Sequence, residues 1–325
     1  MTIFPALAST LSENELGEFA KKQYRLSEDF SCKLFRTGIN HTYILSNKKT
    51  KYVLRVYCYN WRSETEITEE IKLLNLLKAQ NISISYPITD QNGMYIQALN
   101  APEGLRYAVL FSFGEGGKVR FINEQICFTI GATMAKIHTV TSGKKMERIV
   151  YNDDSLLQSS YTYIKSFFAE TLDEMKYIRG ISAKIAKTFA TTNLPEQHNG
   201  LVHLDIWYDN MSIKNENDLT IFDFDNCGNG WLILDVAYFC KQLFHIETDK
   251  NVYEQKVCSF LQGYQKHRPL SDEELRLIPD FGAAIFIYYL GMQAKRFDWS
   301  NIFLSENYLK MYVGKIKSWM EYHQS

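Results

Sequence analysis

Two short stretches of the chain, HLDIWYDN at residues 203 to 210 and IFDFD at residues 221 to 225, interleave charged and amide groups with aliphatic and aromatic ones. Such groups are costly to bury unless each finds a partner. Reading MSIKNENDLTIFD as two strands joined by the turn Asn215 to Asp218 puts Lys214 opposite Leu219 and, in constant register, Asn210 opposite Asp223. Directly opposed side chains have Cβ atoms roughly 4.5–5.5 Å apart. An amide oxygen and a carboxylate at that separation can grip a small hard cation, and magnesium takes just a few protein oxygens of this kind. Asp205, on the loop entering the hairpin, then sits at the rim of the ion site, where a general base belongs. His203, between Val202 and Leu204, reads as a buried organiser of the loop rather than a proton shuttle. Asp225 fits equally a second metal ligand and a hydrogen-bonded turn residue. Asp235 is expected to cap a helix beginning at Val236 and to brace the loop.

A second pair lies far upstream. In YVLRVY, alternation places Tyr52, Leu54 and Val56 on one face of a strand and Arg55 on the other, with Val53 and Tyr57. In the following helix Glu70 falls on the apolar stripe of Ile67, Leu73, Leu74 and Leu77, so it needs a cation, and Arg55 is the candidate. Arg55 held by Glu70 offers a fixed guanidinium fork to a phosphate, or the two form a purely structural ion pair. The turn Thr37-Gly38-Ile39-Asn40-His41 can cover phosphates with its backbone N–H groups. FGEGGK, at residues 113 to 118, does not satisfy GxxxxGK[ST] and reads as a flexible linker.

These residues need elements to position them. With 325 residues and 46% apolar content, the chain suits one large domain or two lobes. Its 36 basic and 37 acidic groups give no overall field that would draw it to nucleic acid or an anionic membrane. Six cysteines without a CxxC pair argue against a zinc site or a disulfide framework. The start MTIFPALAST lacks the features of a signal peptide, and the apolar run Ala283 to Met292 is too short to span a bilayer, so a cytoplasmic location is expected. Helical patterns cover residues 10 to 25, with Ser12 and Glu15 as a capping box, and Glu64 to Ala79; a hairpin spans Cys32 to Tyr59, and SYPIT, GMYIQAL and RYAVLFSF read as strands. Ser271 with Glu274 opens another capped helix, and the acidic clusters at 153–154, 173–174 and 272–274 read as helix starts and solvated faces. The fold class is therefore α+β, with a β-rich N-terminal lobe at 1–112, a mainly helical C-terminal lobe at 113–325, and a crevice between them for ligands.

HLDIWYDN resembles the HxDxxxxN catalytic loop of the aminoglycoside phosphotransferase family, a bilobal protein-kinase-like fold. IFDFD resembles its metal-binding segment, and Asp235 in ILDVA the aspartate that follows it. The tail FLQGYQKHRPLSDEELRLIPDF is similar to homoserine-kinase-like and stress-response-kinase-like members. The resemblance covers about Lys33 to Arg296. It implies ATP as donor, Asp205 as the residue that orients or deprotonates an acceptor hydroxyl, Asn210 and Asp223 as Mg2+ ligands, and Arg55 and Glu70 as the phosphate-gripping pair. It also implies an adenine contact at the hinge Phe111, Ser112 and Phe113. Two positions depart from the family: its glycine between His and Asp is Leu204 here, and its lysine is Arg55. The implied function is phosphoryl transfer to an alcohol of an amino sugar, amino alcohol or similar metabolite. A Ser/Thr protein kinase of the stress-response type is the alternative, but residues 225 to 235 leave little scaffold for docking a peptide. A nucleotide-binding pseudokinase is the third reading.

Overall fold

The structure is a computed structural model describing residues 4–296 and 304–324; the first three residues of the N-terminal segment discussed above lie outside that range. The chain divides into two compact units, Met1–Gly114 and Glu115–Ser325.

The first unit contains α1 (Glu13–Tyr24), β1 (Ser31–Arg36), β2 (Asn40–Ser46), β3 (Lys51–Tyr57), α2 (Glu64–Ala79), β4 (Pro87–Ile88), β5 (Ile96–Ala101) and β6 (Gly104–Ser112). Its strands form one antiparallel sheet in the order β1-β2-β3-β6-β4, with β5 also on β6. The period-two alternation of β3 decides what each face carries. Leu54 and Val56 join Tyr43, Leu45, Ala108 and Leu110 in an apolar cluster closed by Leu16 and Ala20 of α1. Arg55 and Tyr57 turn to the opposite face, where α2 buries Ile67, Glu70 and Leu74. At α1, Ser12 accepts from the Glu15 N–H, but among the described residues the reciprocal bond of a full capping box forms at Ser63/Glu66 and Ser271/Glu274 instead.

The second unit contains α3 (Glu124–Thr141), α4 (Ser159–Ile164), α5 (Asp173–Thr191), β7 (Asn199–Val202), β8 (Met211–Asn215), β9 (Asp218–Ile221), β10 (Gly228–Trp231), α6 (Ile233–Ile246), α7 (Lys250–Gln265), α8 (Asp272–Lys295) and α9 (Glu306–Tyr322). Two antiparallel ribbons, β7 with β10 and β8 with β9, are set among the helices. FGEGGK is not a free linker: Gly117 bridges to Ile213 through two backbone hydrogen bonds of 2.9 and 3.1 Å, and Lys118 pairs with Asp209 at 3.0 Å. α8 is longer than the apolar run seen in sequence, long and apolar enough to cross a membrane by length and composition, and most of that apolar stretch is buried inside the unit.

Helices α3 and α7 meet backbone to backbone at two glycines. A Cβ on Gly131 would lie 2.0 Å from the Phe260 carbonyl oxygen, and one on Gly263 would lie 2.0 Å from that of Phe128. Gly180 in α5 and Gly314 in α9 have open space instead. Gly263→Ala should therefore destabilise the protein by about 2–3 kcal/mol through overpacking. Gly314→Ala should stabilise it by about 0.5–1 kcal/mol, the ordinary helical gain. Urea midpoints of the two variants check the opposite signs.

Candidate functional site

In the first unit, Arg55 Nη1 lies 2.7 Å from Glu70 Oε1, both side chains buried, and the Tyr57 hydroxyl bonds the other carboxylate oxygen at 3.1 Å. The guanidinium also sits over the Phe111 ring, 4.9 Å from its centroid. The pair thus fixes an arginine fork on the α2 face of the sheet, as the sequence pattern requires. The turn between β1 and β2 holds Gly38, where a Cβ would meet only the Asn40 carbonyl at 3.8 Å, and the Asn40 side chain accepts from the Cys58 N–H at 3.4 Å. At the end of β6, the Ser112 N–H is already bonded to Tyr86 O at 2.9 Å and its carbonyl accepts from the Ser85 hydroxyl at 2.6 Å, with Phe111 and Phe113 on either side.

In the second unit, the loop after β7 is organised by a buried acid. Asp235 takes the His203 N–H at 2.8 Å on one oxygen and the Leu204 N–H at 2.6 Å on the other, while His138 Nε2 approaches at 3.0 Å. Tyr264 closes the chain on His138 Nδ1 at 2.6 Å. Asp235 does not cap a helix: α6 begins at Ile233 behind Leu232, and the carboxylate, on the third residue of the helix, reaches across to the loop because that is where unpaired N–H groups point. Leu204 has φ of 59°, a left-handed backbone that costs a leucine about 1–2 kcal/mol. The Tyr289 hydroxyl donates to its carbonyl at 2.8 Å, so both its peptide groups are held.

His203 is buried; its Nδ1 accepts from the Asp205 N–H at 3.2 Å and its Nε2 donates to Phe222 O at 3.1 Å. Burial holds its pKa below the usual histidine value, which suits a neutral ring. The half-buried Asp205 accepts from Asn210 Nδ2 at 2.7 Å on one oxygen and from the Tyr238 hydroxyl on the other. Burial pushes its carboxyl up to about 7, opposed by the Tyr238 bond and assisted by the negative charge of Asp223. The β8–β9 register differs from the sequence reading. Met211 pairs with Ile221 and Ile213 with Leu219, and a bulge absorbs Lys214, so the Phe222 N–H bonds Asn210 O at 3.0 Å. Asn210 thus faces Phe222, not Asp223. Asp223 is the next residue, and its left-handed backbone, φ 66°, turns the chain there into a single 3-10 turn, Phe224–Asn226. Asp225 is buried in that turn, its carbonyl taken by Arg148. Among the described residues no three His, Cys, Asp or Glu gather as a metal cluster. A cavity of about 580 Å³ opens behind β7 and β10, beside Tyr151, Phe189 and Trp231, and none of the candidate residues lines it.

Sequence reasoning missed His138, Tyr238 and Tyr289. Only Tyr238 leaves a signal, since it follows Asp235 by one helical turn and so shares its face of α6.

A model of the phosphotransferase enzyme family matches residues 31–270. The chain belongs to that family. This phosphotransferase is 28% identical over 297 residues to an uncharacterized protein of Synechocystis sp., a match covering 88% of this chain and 79% of the relative. It is 25% identical over 305 residues to a homoserine kinase of Bradyrhizobium sp., covering 91% and 88%. A solved amicoumacin kinase in complex with AMP-PNP, Ca2+ and its ligand superposes with a TM-score of 0.78 at 19% identity, covering 96% of this chain and 94% of that one. The likeness shows the kinase-like fold, a sheet-rich N-terminal part followed by a mostly helical C-terminal one. The resemblance carried by HLDIWYDN and IFDFD therefore holds, and the chain is an enzyme of phosphoryl transfer to hydroxyl groups.

Replacing Asp235 by Asn turns an acceptor of three hydrogen bonds into a group that presents an N–H₂ to buried donors. Asp235→Asn in this phosphotransferase should cost about 3–5 kcal/mol of stability, the scale of breaking a buried charged network. A wild-type denaturation midpoint in that variant would contradict the bracing role.

Proposed function

We propose that this phosphotransferase moves the γ-phosphoryl group of ATP, with Mg2+, onto the hydroxyl of a small molecule: an amino sugar, an amino alcohol or a related metabolite. The observation that carries the reading is Asp205, held between Tyr238 and Asn210 beside the charge of Asp223.

The donor set suits a small hard cation. Asn210 spends its amide nitrogen on Asp205, so its oxygen is the atom left to face an ion, and Asp223 supplies a carboxylate whose charge already raises its neighbour Asp205. When bound, the ion neutralises charge on the transferred phosphoryl group. Asp205 takes the acceptor proton, for which a carboxyl with a pKa near 7 is matched to a near-neutral working pH. Tyr238 and Asn210 each hold one of its oxygens and so aim it. His203, by accepting the Asp205 N–H, fixes the backbone beneath it, and Asp225 and Asp235 hold the surrounding turns. In the first unit, Arg55 braced by Glu70 grips nucleotide phosphate, the Gly38–Asn40 turn covers it, and Phe111, Ser112 and Phe113 contact the purine. The nucleotide analogue in the amicoumacin kinase complex supports ATP as the donor.

Asp205→Ala should lower kcat by about 10²–10⁴-fold, the usual weight of a positioned base, with Mg-ATP affinity by calorimetry little changed. Near-normal turnover in that variant would remove the base assignment. Asp223→Asn should instead raise the magnesium concentration needed for half-maximal activity severalfold. An unaltered magnesium titration curve would take Asp223 out of the ligand set.

A further inference from the structure

Helix α6 carries two more nitrogens beyond Tyr238 that the mechanism does not use. Lys241 is buried, 3% exposed, and its Nζ is ringed by the faces of Phe286 at 4.3 Å, Tyr238 at 4.6 Å and Tyr289 at 5.7 Å from their centroids. Its hydrogen bond goes to the neutral Gln242 Oε1 at 2.9 Å, and no carboxylate pairs with it among the described residues. His245, one turn further along, lies against the same Phe286 ring at 5.1 Å, and its Nε2 is buried without a hydrogen-bond partner among the described residues. The charge of Lys315, from α9, acts on both, and the Asp205 carboxylate acts on Lys241 in the opposite sense. This cluster adjoins the candidate base: Gln242 Nε2 reaches the Tyr238 hydroxyl at 3.4 Å, and that hydroxyl holds Asp205.

A buried ammonium with no carboxylate in hydrogen-bond reach is expensive and normally deprotonates or finds an anion. Burial indeed lowers Lys241 to about 7 and His245 to about 3. A cluster of amine and imidazole to which no carboxylate is bonded among the described residues is badly suited to a polycationic acceptor, which needs carboxylates, and well suited to a carboxylate placed a few bonds from a hydroxyl at Asp205.

We infer that Lys241 and His245 form an anion subsite for the acceptor, so that the alcohol phosphorylated beside Asp205 carries a carboxylate a few bonds from its hydroxyl. This rests on the proposed function for Asp205 and narrows its acceptor to small hydroxy acids, hydroxy amino acids included. Lys241 binds the carboxylate as an ion pair, His245 adds a hydrogen bond, and the aromatic ring of neighbours keeps the pair dry.

The test uses the full chain and matched alcohols with and without the acid group, L-homoserine against aminopropanol and L-serine against ethanolamine. In the wild-type enzyme with Mg-ATP, kcat/KM should favour the carboxylate member of at least one pair by roughly tenfold or more, the worth of one charge-assisted hydrogen bond. In Lys241→Met that ratio should collapse toward one. Thermal unfolding gives a second reading independent of turnover. The carboxylates should raise the midpoint of the wild type and not of Lys241→Met, a variant that folds because it exchanges a buried cation for an apolar chain of similar length. Stabilisation by carboxylates that vanishes in Lys241→Met, with no phosphoryl transfer to any of the alcohols, would sink the kinase reading of Asp205 and leave the subsite standing. Equal kcat/KM within both pairs, a ratio unmoved by Lys241→Met, or an absence of carboxylate stabilisation would overturn the subsite.

Discussion

A single buried carboxylate, that of Asp235, holds the second unit's functional loop in place. It lies in the first turn of α6, with its two oxygens satisfying consecutive backbone N–H groups of His203 and Leu204 and a third donor arriving from His138. Backbone donors of a loop buried under helices have no water to turn to, so the acid replaces the ladder partner that a strand would have supplied. That replacement is strong because it is charge-assisted. It also offsets the left-handed backbone of Leu204, which a leucine would not otherwise keep. Everything downstream follows from this anchoring: the His203 ring accepts the Asp205 N–H, Asp205 turns toward Tyr238, and Asn210 folds back onto Asp205.

Charges in the second unit are unevenly distributed. Around Asp205 and Asp223 two acids stand close enough for one to raise the other, and a few residues along α6 Lys241 and His245 have no carboxylate bonded to them among the described residues. Neither two close acids nor a buried amine with no bonded carboxylate is favourable to folding in isolation. On the proposed reading each is relieved by a partner of opposite sign from outside, a divalent ion beside Asp205 and Asp223 and an anionic group beside Lys241.

Much of this was legible from residues alone wherever a periodicity met a constraint. The alternation of β3 fixed the direction of Arg55, and the helical stripe of α2 fixed Glu70, so their pairing followed from two independent patterns. The hairpin was legible in kind but not in register. A bulge at Lys214 shifts the pairing by one residue, and polar turn residues such as Asn215 to Asp218 accommodate several loop lengths at similar cost. The role of Asp235 was misread in part because a carboxylate near a helix start reads as a cap, whereas the backbone N–H groups it accepts from lie 32 and 31 residues earlier in the chain. His138, Tyr289 and Lys241 left no mark at all. Each looks like an ordinary helix residue until tertiary packing brings it beside another element.

The same packing sets a schedule for biosynthesis. Leu204 is held from both sides by groups made later, the Asp235 carboxylate 31 residues on and the Tyr289 hydroxyl 85 residues on. At the ribosome's usual pace of about 5–20 residues per second, the nascent loop waits roughly 4–17 s for that tyrosine to be polymerised. Until then the Leu204 carbonyl lacks the hydroxyl that holds it in the folded protein. A chain interrupted within α8 would therefore contain the whole of HLDIWYDN and IFDFD and still lack the clamp that gives them their shape.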